Sequence, residues 1–127
     1  MIPVYRIQDP EGRGPFRPGF SHKWVETRPD HDLLKPYFDI LDRKSLVDTI
    51  RGGYHVGCAC LTVEQLRRWF TAGEYITLRG YGFQAVVMMA DELLHTDDVQ
   101  SVIARLKPFN EGAQAIPLYG PTAYRKS

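Results

Sequence analysis

The chain opens on a short apolar run broken by one charge, Val4-Tyr5-Arg6-Ile7, which reads as a strand with Tyr5 and Ile7 on one face and Val4 and Arg6 on the other. The pattern then breaks. Residues 8 to 36 hold five of the nine prolines and several glycines, which removes backbone donors and favours turns, so this segment is expected to be a long surface loop. Phe16, Phe20 and Trp24 are placed to pin it down, and a loop of that length in a small domain is a natural binding lip. From Asp39 to Arg51, Ile40, Leu41, Leu46, Val47 and Ile50 allow one or two short helical pieces, stopped by Gly52-Gly53. The small apolar segment Tyr54 to Leu61 reads as a buried strand, with Gly57 marking a close approach of backbone or ligand.

Thr62 to Gly73 carries the strongest local signal. Thr62 and Gln65 form a capping box, Val63, Leu66, Trp69 and Phe70 line one face, and Gly73 ends the helix. Glu74 to Arg79 reads as a further short turn, Phe83 to Ala90 as a strand, Asp91 to Leu94 as a turn, and Gln100 to Leu106 as the last strong strand. After Pro108 the tail can still bury Ile116, Leu118 and Tyr119. Together the elements predict a single α+β domain over residues 1 to 127, with a small twisted, mainly antiparallel sheet and two or three short helices.

Length and charge narrow the classes. A chain of 127 residues buries roughly two-thirds of the surface it exposes when unfolded, enough to fold without metal or disulfide staples. Sixteen basic and fifteen acidic residues are spread evenly, eight against eight up to Ile50 and eight against seven after it, which argues against non-specific nucleic-acid or membrane-surface binding. Neither a signal peptide nor a membrane span is readable, so a soluble cytosolic protein is expected. Cys58 and Cys60, two residues apart on one strand, are read as reduced core thiols.

Little in the sequence completes a catalytic signature. His22, His31, His55 and His95 stand apart and no Cys-x-x-Cys or His-x-x-x-His pair occurs, so no metal site is expected. His55 lies too near Cys58 and Cys60 along the same strand to be their obvious base. Nucleophile elbow, Walker loop and dinucleotide glycine fingerprint are all missing. What remains is Arg6, a strand cation beside the loop Gly12-Arg13-Gly14-Pro15-Phe16, an arrangement suited to an anion such as a diphosphate. Arg13 and Arg17 can add cations at the same mouth. The competing reading pairs Arg6 with an acidic side chain on a neighbouring strand.

The order of these elements resembles a compact ADP-ribosyltransferase fold, most of all its toxin-like branch. The likeness spans roughly residues 4 to 107 and rests on Tyr5-Arg6, the proline- and glycine-rich excursion, the strand into the Trp69-Phe70 helix, and two β-rich segments. The Tyr-Arg-Ile start, the Gly-Arg-Gly-Pro-Phe loop and the Glu-Gln-Leu-x-x-Trp-Phe helix also resemble small phage and prophage proteins. The transferase resemblance implies NAD as cofactor, held by Arg6 and Arg13, with Tyr54, His55 and Gly57 on the strand that lines the nicotinamide pocket. Gly57-Cys58-Ala59-Cys60 stands where that family carries a Ser-Thr-Ser triplet. Asp97, Asp98 and Gln100 stand where it carries the catalytic glutamate, whose charge stabilises an oxocarbenium-like transition state. With the uncharged Gln100 in that role, transfer would be crippled and the domain would be a degenerate NAD binder.

Two other classes fit the same residues. A phage-borne inhibitor of a host defence complex, an anti-CRISPR or similar, would use the fold as a scaffold and a protein target as partner, with Phe16, Phe20, Trp24 and Tyr37 as anchors. A nucleic-acid binder would use Arg51, Arg67, Arg68 and Arg79 with Tyr54 and Tyr75 as stacking surfaces, against the balanced charge.

Overall fold

In the computed structural model, which describes residues 1–16, 20–26 and 36–120, the chain is α+β with two antiparallel three-stranded sheets. β1 (Ile2–Gln8) pairs with β3 (Gln84–Ala90), which also takes the short β6 (Gln114–Ala115). The second sheet has the order β2 (His55–Ala59), β5 (Ser101–Arg105), β4 (Glu92–Thr96). Pro3 is tolerated because β1 is an edge of its sheet. The sheets meet where Tyr5 and Cys60 exchange two N–H···O bonds of 2.8 Å each. The single sheet expected from sequence is thus two. β3 passes almost directly into β4 at Asp91, whose N–H bonds Ala104 O, so Asp91 to Leu94 is largely strand where a turn was expected.

Among the described residues four helices are present, against two or three expected: α1 (Tyr37–Ile40), α2 (Arg43–Arg51), α3 (Val63–Trp69) and α4 (Ala72–Gly80). The helix read as continuous to Gly73 stops at Phe70, whose extended backbone (φ −132°, ψ 105°) breaks the ladder. A capping box then starts α4: Thr71 Oγ1 accepts from Glu74 N at 3.1 Å and Glu74 Oε1 accepts from Thr71 N at 3.0 Å. Glu74 to Arg79 is therefore the body of a helix. At α3, Thr62 caps Gln65 N as expected, but the Gln65 side chain accepts from Leu61 N.

Two apolar clusters follow from this layout. Ile7, Cys60, Leu66, Trp69, Tyr75 and Leu118 belong to the one between the β1 sheet and α3 and α4. Val4, Val86, Met88 and Ile103 belong to the other, between the sheets. β5 is buried along its whole length, as expected for a central strand covered on both faces.

The long excursion of residues 8 to 36 is described only in part; 17–19, with Arg17, and 27–35, with His31, lie outside the described residues. The expected aromatic anchoring holds. Trp24 is buried, stacks on Phe70 at 5.5 Å and donates Nε1–H to Pro15 O, while Phe20 stacks on Phe83 at 5.4 Å. Glu26 N donates to the buried Glu74 carboxylate, tying the same segment to the start of α4.

Candidate functional site

Antiparallel pairing sets Arg6 opposite Val86, and strand alternation turns its side chain with Val4 toward β2. Only 8 % of it is exposed. Nη1 donates to Cys58 O at 3.4 Å and Nη2 to Gly12 O at 3.2 Å, while the guanidinium carbon lies 4.2 Å from the centroid of the Phe109 ring. Gly57 makes room for this stack, since a Cβ there would stand 2.6 Å from Nη1 and 2.8 Å from Phe109. Gly12, at φ +88°, lets the first loop approach Phe109 and Asn110.

No carboxylate among the described residues pairs with Arg6, and its Nε has no hydrogen-bond partner. The neighbouring Asp9 is taken by Arg13: Nε meets Oδ2 at 2.8 Å, Oδ1 accepts from the backbone of Glu11 and Arg13, and Arg13 also pairs with Glu11 at 3.3 Å. Burial lowers the Arg6 pKa to about 10, with the Arg105 charge adding to the shift and Cys58 and Asp9 partly offsetting it. The group stays protonated at neutral pH.

Phe109 is held from below. Arg105 donates Nε–H to Met89 O at 2.9 Å, and Nη1 and Nη2 to Pro108 O and Glu111 O at 2.8 Å each, which shapes the turn after β5. Gln8 Nε2 donates to Phe109 O at 2.8 Å. The ring under Arg6 is therefore fixed by two buried polar side chains.

Arg6 borders a cavity of about 870 Å³. Its walls are mainly apolar, with the aromatic rings of Phe16, Tyr37, Trp69, Phe70 and Phe109 among them. Polar groups at its lining include Arg6, Gln100 and the Cys58 thiol, which accepts from Gln100 Nε2 at 3.2 Å and from the Tyr37 backbone. Burial pushes the Cys58 pKa up, and that of Cys60 up to about 12, so both are protonated thiols at neutral pH, and they share no disulfide.

Of the residues singled out in the sequence, the fold gathers Arg6, Arg13, Gly57 and Gln100 around this cavity. Tyr54 and His55 are not among its described lining residues; Tyr54 sits against Gly52 after α2, and His55 is exposed with its ring 6.5 Å from Phe109. Asp97 and Asp98 are exposed in the turn between β4 and β5. The His95 imidazole at 2.7 Å, and then the N–H groups of Gln100 and Val99, hold the Asp97 carboxyl at a pKa of about 2, so this group serves the turn. Among the described residues Arg6 has no acidic strand partner of the kind weighed in the sequence. Tyr75 offers no stacking face: it is buried, and its hydroxyl accepts from Ala85 N. Phe109 and the cavity role of Cys58 were not visible in the sequence, because nothing near Pro108-Phe109 marks a ring that meets Arg6 from 103 residues away.

Among the described residues no group of three His, Cys, Asp or Glu side chains is placed to hold a metal ion, and no helix is long and apolar enough to cross a membrane. No curated protein and no solved structure matches the chain. The family model described as Bacteriophage T4 Y00F protein matches residues 1–107, a stretch that contains Arg6, Gly57, Cys58, Gln100 and Arg105 and stops short of Phe109. With most of its length covered, from β1 through β5, the chain belongs to the bacteriophage T4 Y00F protein family.

Proposed function

We propose that this phage protein binds a small organic anion in the cavity, with the anionic group at Arg6. The observation that carries the reading is a buried guanidinium with no carboxylate partner among the described residues. Leaving a charge buried and unneutralised is costly, and such groups in concave, mainly apolar sites are functional-site candidates. The cavity volume falls within the range of roughly 300–1,000 Å³ usual for small-molecule sites.

NAD is one candidate occupant, following from the transferase-like order of elements. In that version Arg6 holds the diphosphate and Gln100 stands nearest the ribose, with Asp97 and Asp98 outside the cavity lining, so binding without efficient transfer is the expected behaviour. Thermal unfolding of the wild type and Arg6→Met, with and without added anion, tests the reading. At 100 times its dissociation constant a ligand adds about 2.7 kcal/mol, several degrees for a domain of this size. A shift confined to the wild type supports the pocket; equal shifts in both proteins refute the role of Arg6.

A second reading, a protein target, draws on α1 and α2. Neither helix has a buried residue, and Phe38 and Ile50 are 62 % and 51 % exposed. Host-lysate capture should then retain a partner with the wild type and lose it with Phe38→Asp; identical captures would remove this reading.

A further inference from the structure

Resting on the anion-binding reading, we infer that the ligand class is a monocarboxylate on an aromatic or aliphatic body, and that di-anionic and dinucleotide ligands fit the cavity less well. Charge supplies the first argument. Among the described residues the cations bordering the cavity are Arg6 and Arg13. Arg13 is committed to Asp9 and Glu11, so its loop carries one surplus negative charge. Arg6 is therefore the one described cation there without a carboxylate, and it can neutralise a single negative charge. A second negative charge would find no described partner and would lie near the Asp9–Glu11 loop.

The ligand's body supplies the second argument. Phosphates and riboses need many hydrogen bonds, whereas this cavity presents mainly apolar walls. Gln100 is already bonded to Cys58, and the Gly12 and Cys58 carbonyls each take one guanidinium N–H, which leaves few donors for the many oxygens of a phosphate or a ribose. A planar carboxylate matches the remaining N–H groups of the guanidinium, and an apolar body matches the walls.

The third observation concerns rigidity. Phe109 covers one face of the Arg6 guanidinium and is itself fixed by Arg105 and Gln8, while the Cys58 and Gly12 carbonyls hold the guanidinium by Nη1 and Nη2. The cation is preorganised, so little ordering opposes capture of one small anionic group.

The test is calorimetric titration of the whole wild-type protein at pH 8 with 1-naphthylacetate, its neutral amide, 1-naphthyl phosphate, decanoate and NAD. The expected result is that naphthylacetate or decanoate binds at least tenfold tighter than the amide, the phosphate and NAD. Bound carboxylate should also slow alkylation of Cys58, read by mass spectrometry. In Arg6→Met the preference for carboxylate over amide should vanish, and Arg6→Lys should restore part of it. Tighter binding of NAD or naphthyl phosphate would overturn this inference and leave the anion pocket standing. No binding by any probe, or equal affinity of wild type for acid and amide, would overturn both; the acid-to-amide comparison needs no variant to fold.

Discussion

A methyl group at Gly57 would have to occupy space held by the Arg6 guanidinium and the Phe109 ring, both of which are anchored. Gly57→Ala should therefore cost about 1–3 kcal/mol, the usual range for overpacking, and should weaken anion binding, checked by denaturant unfolding and by titration on the same samples. The thiols make a separate prediction at this scale. Burial, then the nearby Cys58, raise Cys60 from 9 to about 12, so between these values the unfolded chain loses a proton that the folded chain keeps. By linkage, stability falls as pH rises through about 9 and is unaffected by this group well below it. Unfolding midpoints from pH 8 to 10 should drop less steeply in Cys60→Ala; parallel slopes would show that the thiol is not the cause. Arg6 and Gly57 stand out locally in the sequence, as a charge in a strand and a glycine in a strand, whereas Gln100 stands out only through the transferase resemblance. Sequence reading missed Phe109 because an aromatic in a turn after proline has no local property that separates a cation-stacking ring from a surface one.

At the scale of elements, the boundary at Phe70 to Thr71 decides how the long excursion is held. One carboxylate, Glu74, accepts from Thr71 N and from Glu26 N, so it both starts α4 and ties down the segment carrying Phe20 and Trp24. Thr71→Ala removes one cap and the exposed bond that Thr71 Oγ1 donates to Glu26 Oε1 at 2.9 Å, and should cost about 1 kcal/mol. Glu74→Ala takes the acceptor from two part-buried N–H groups, at Thr71 and Glu26, and should cost more, roughly 1–3 kcal/mol, together with faster tryptic cleavage at Lys23. Equal losses in the two variants would show that the bond from Glu26 N to Glu74 adds nothing beyond what Thr71 supplies. The capping residues were in plain view, yet the helix was read through to Gly73, because Gly at that spacing imitates a helix end and the apolar face of α3 runs on into Phe70. Element type was legible where periodicity was long; the place where one element stops was set by the backbone at Phe70, which no side-chain pattern reports.

For the whole molecule, the two apolar clusters are joined by β1, which places Val4 in one and Ile7 in the other, and by the Tyr5–Cys60 bridge. They should unfold together. Tryptophan fluorescence, which reports Trp24 and Trp69, and far-ultraviolet circular dichroism should trace one coincident transition. Leu118 closes the first cluster from the C-terminal side, fully buried with its carbonyl accepting from Arg67 Nε at 2.6 Å, so Leu118→Ala should cost about 2–5 kcal/mol in both signals. Divergent transitions would mean that the clusters fold independently. By itself the sequence determined the α+β class, the β1, β2, β3 and β5 segments, the start of α3, the aromatic anchoring of the excursion and the place of Arg6 on the first strand, since all of these follow from periodicity and turn chemistry. Only the tertiary structure decided that the strands divide into two sheets, that Asp9 goes to Arg13 and leaves Arg6 without a carboxylate among the described residues, and that Phe109 and Gly57 enclose it. Each of those outcomes depends on which segments meet in space, and contacts across about a hundred residues leave no mark in local sequence pattern.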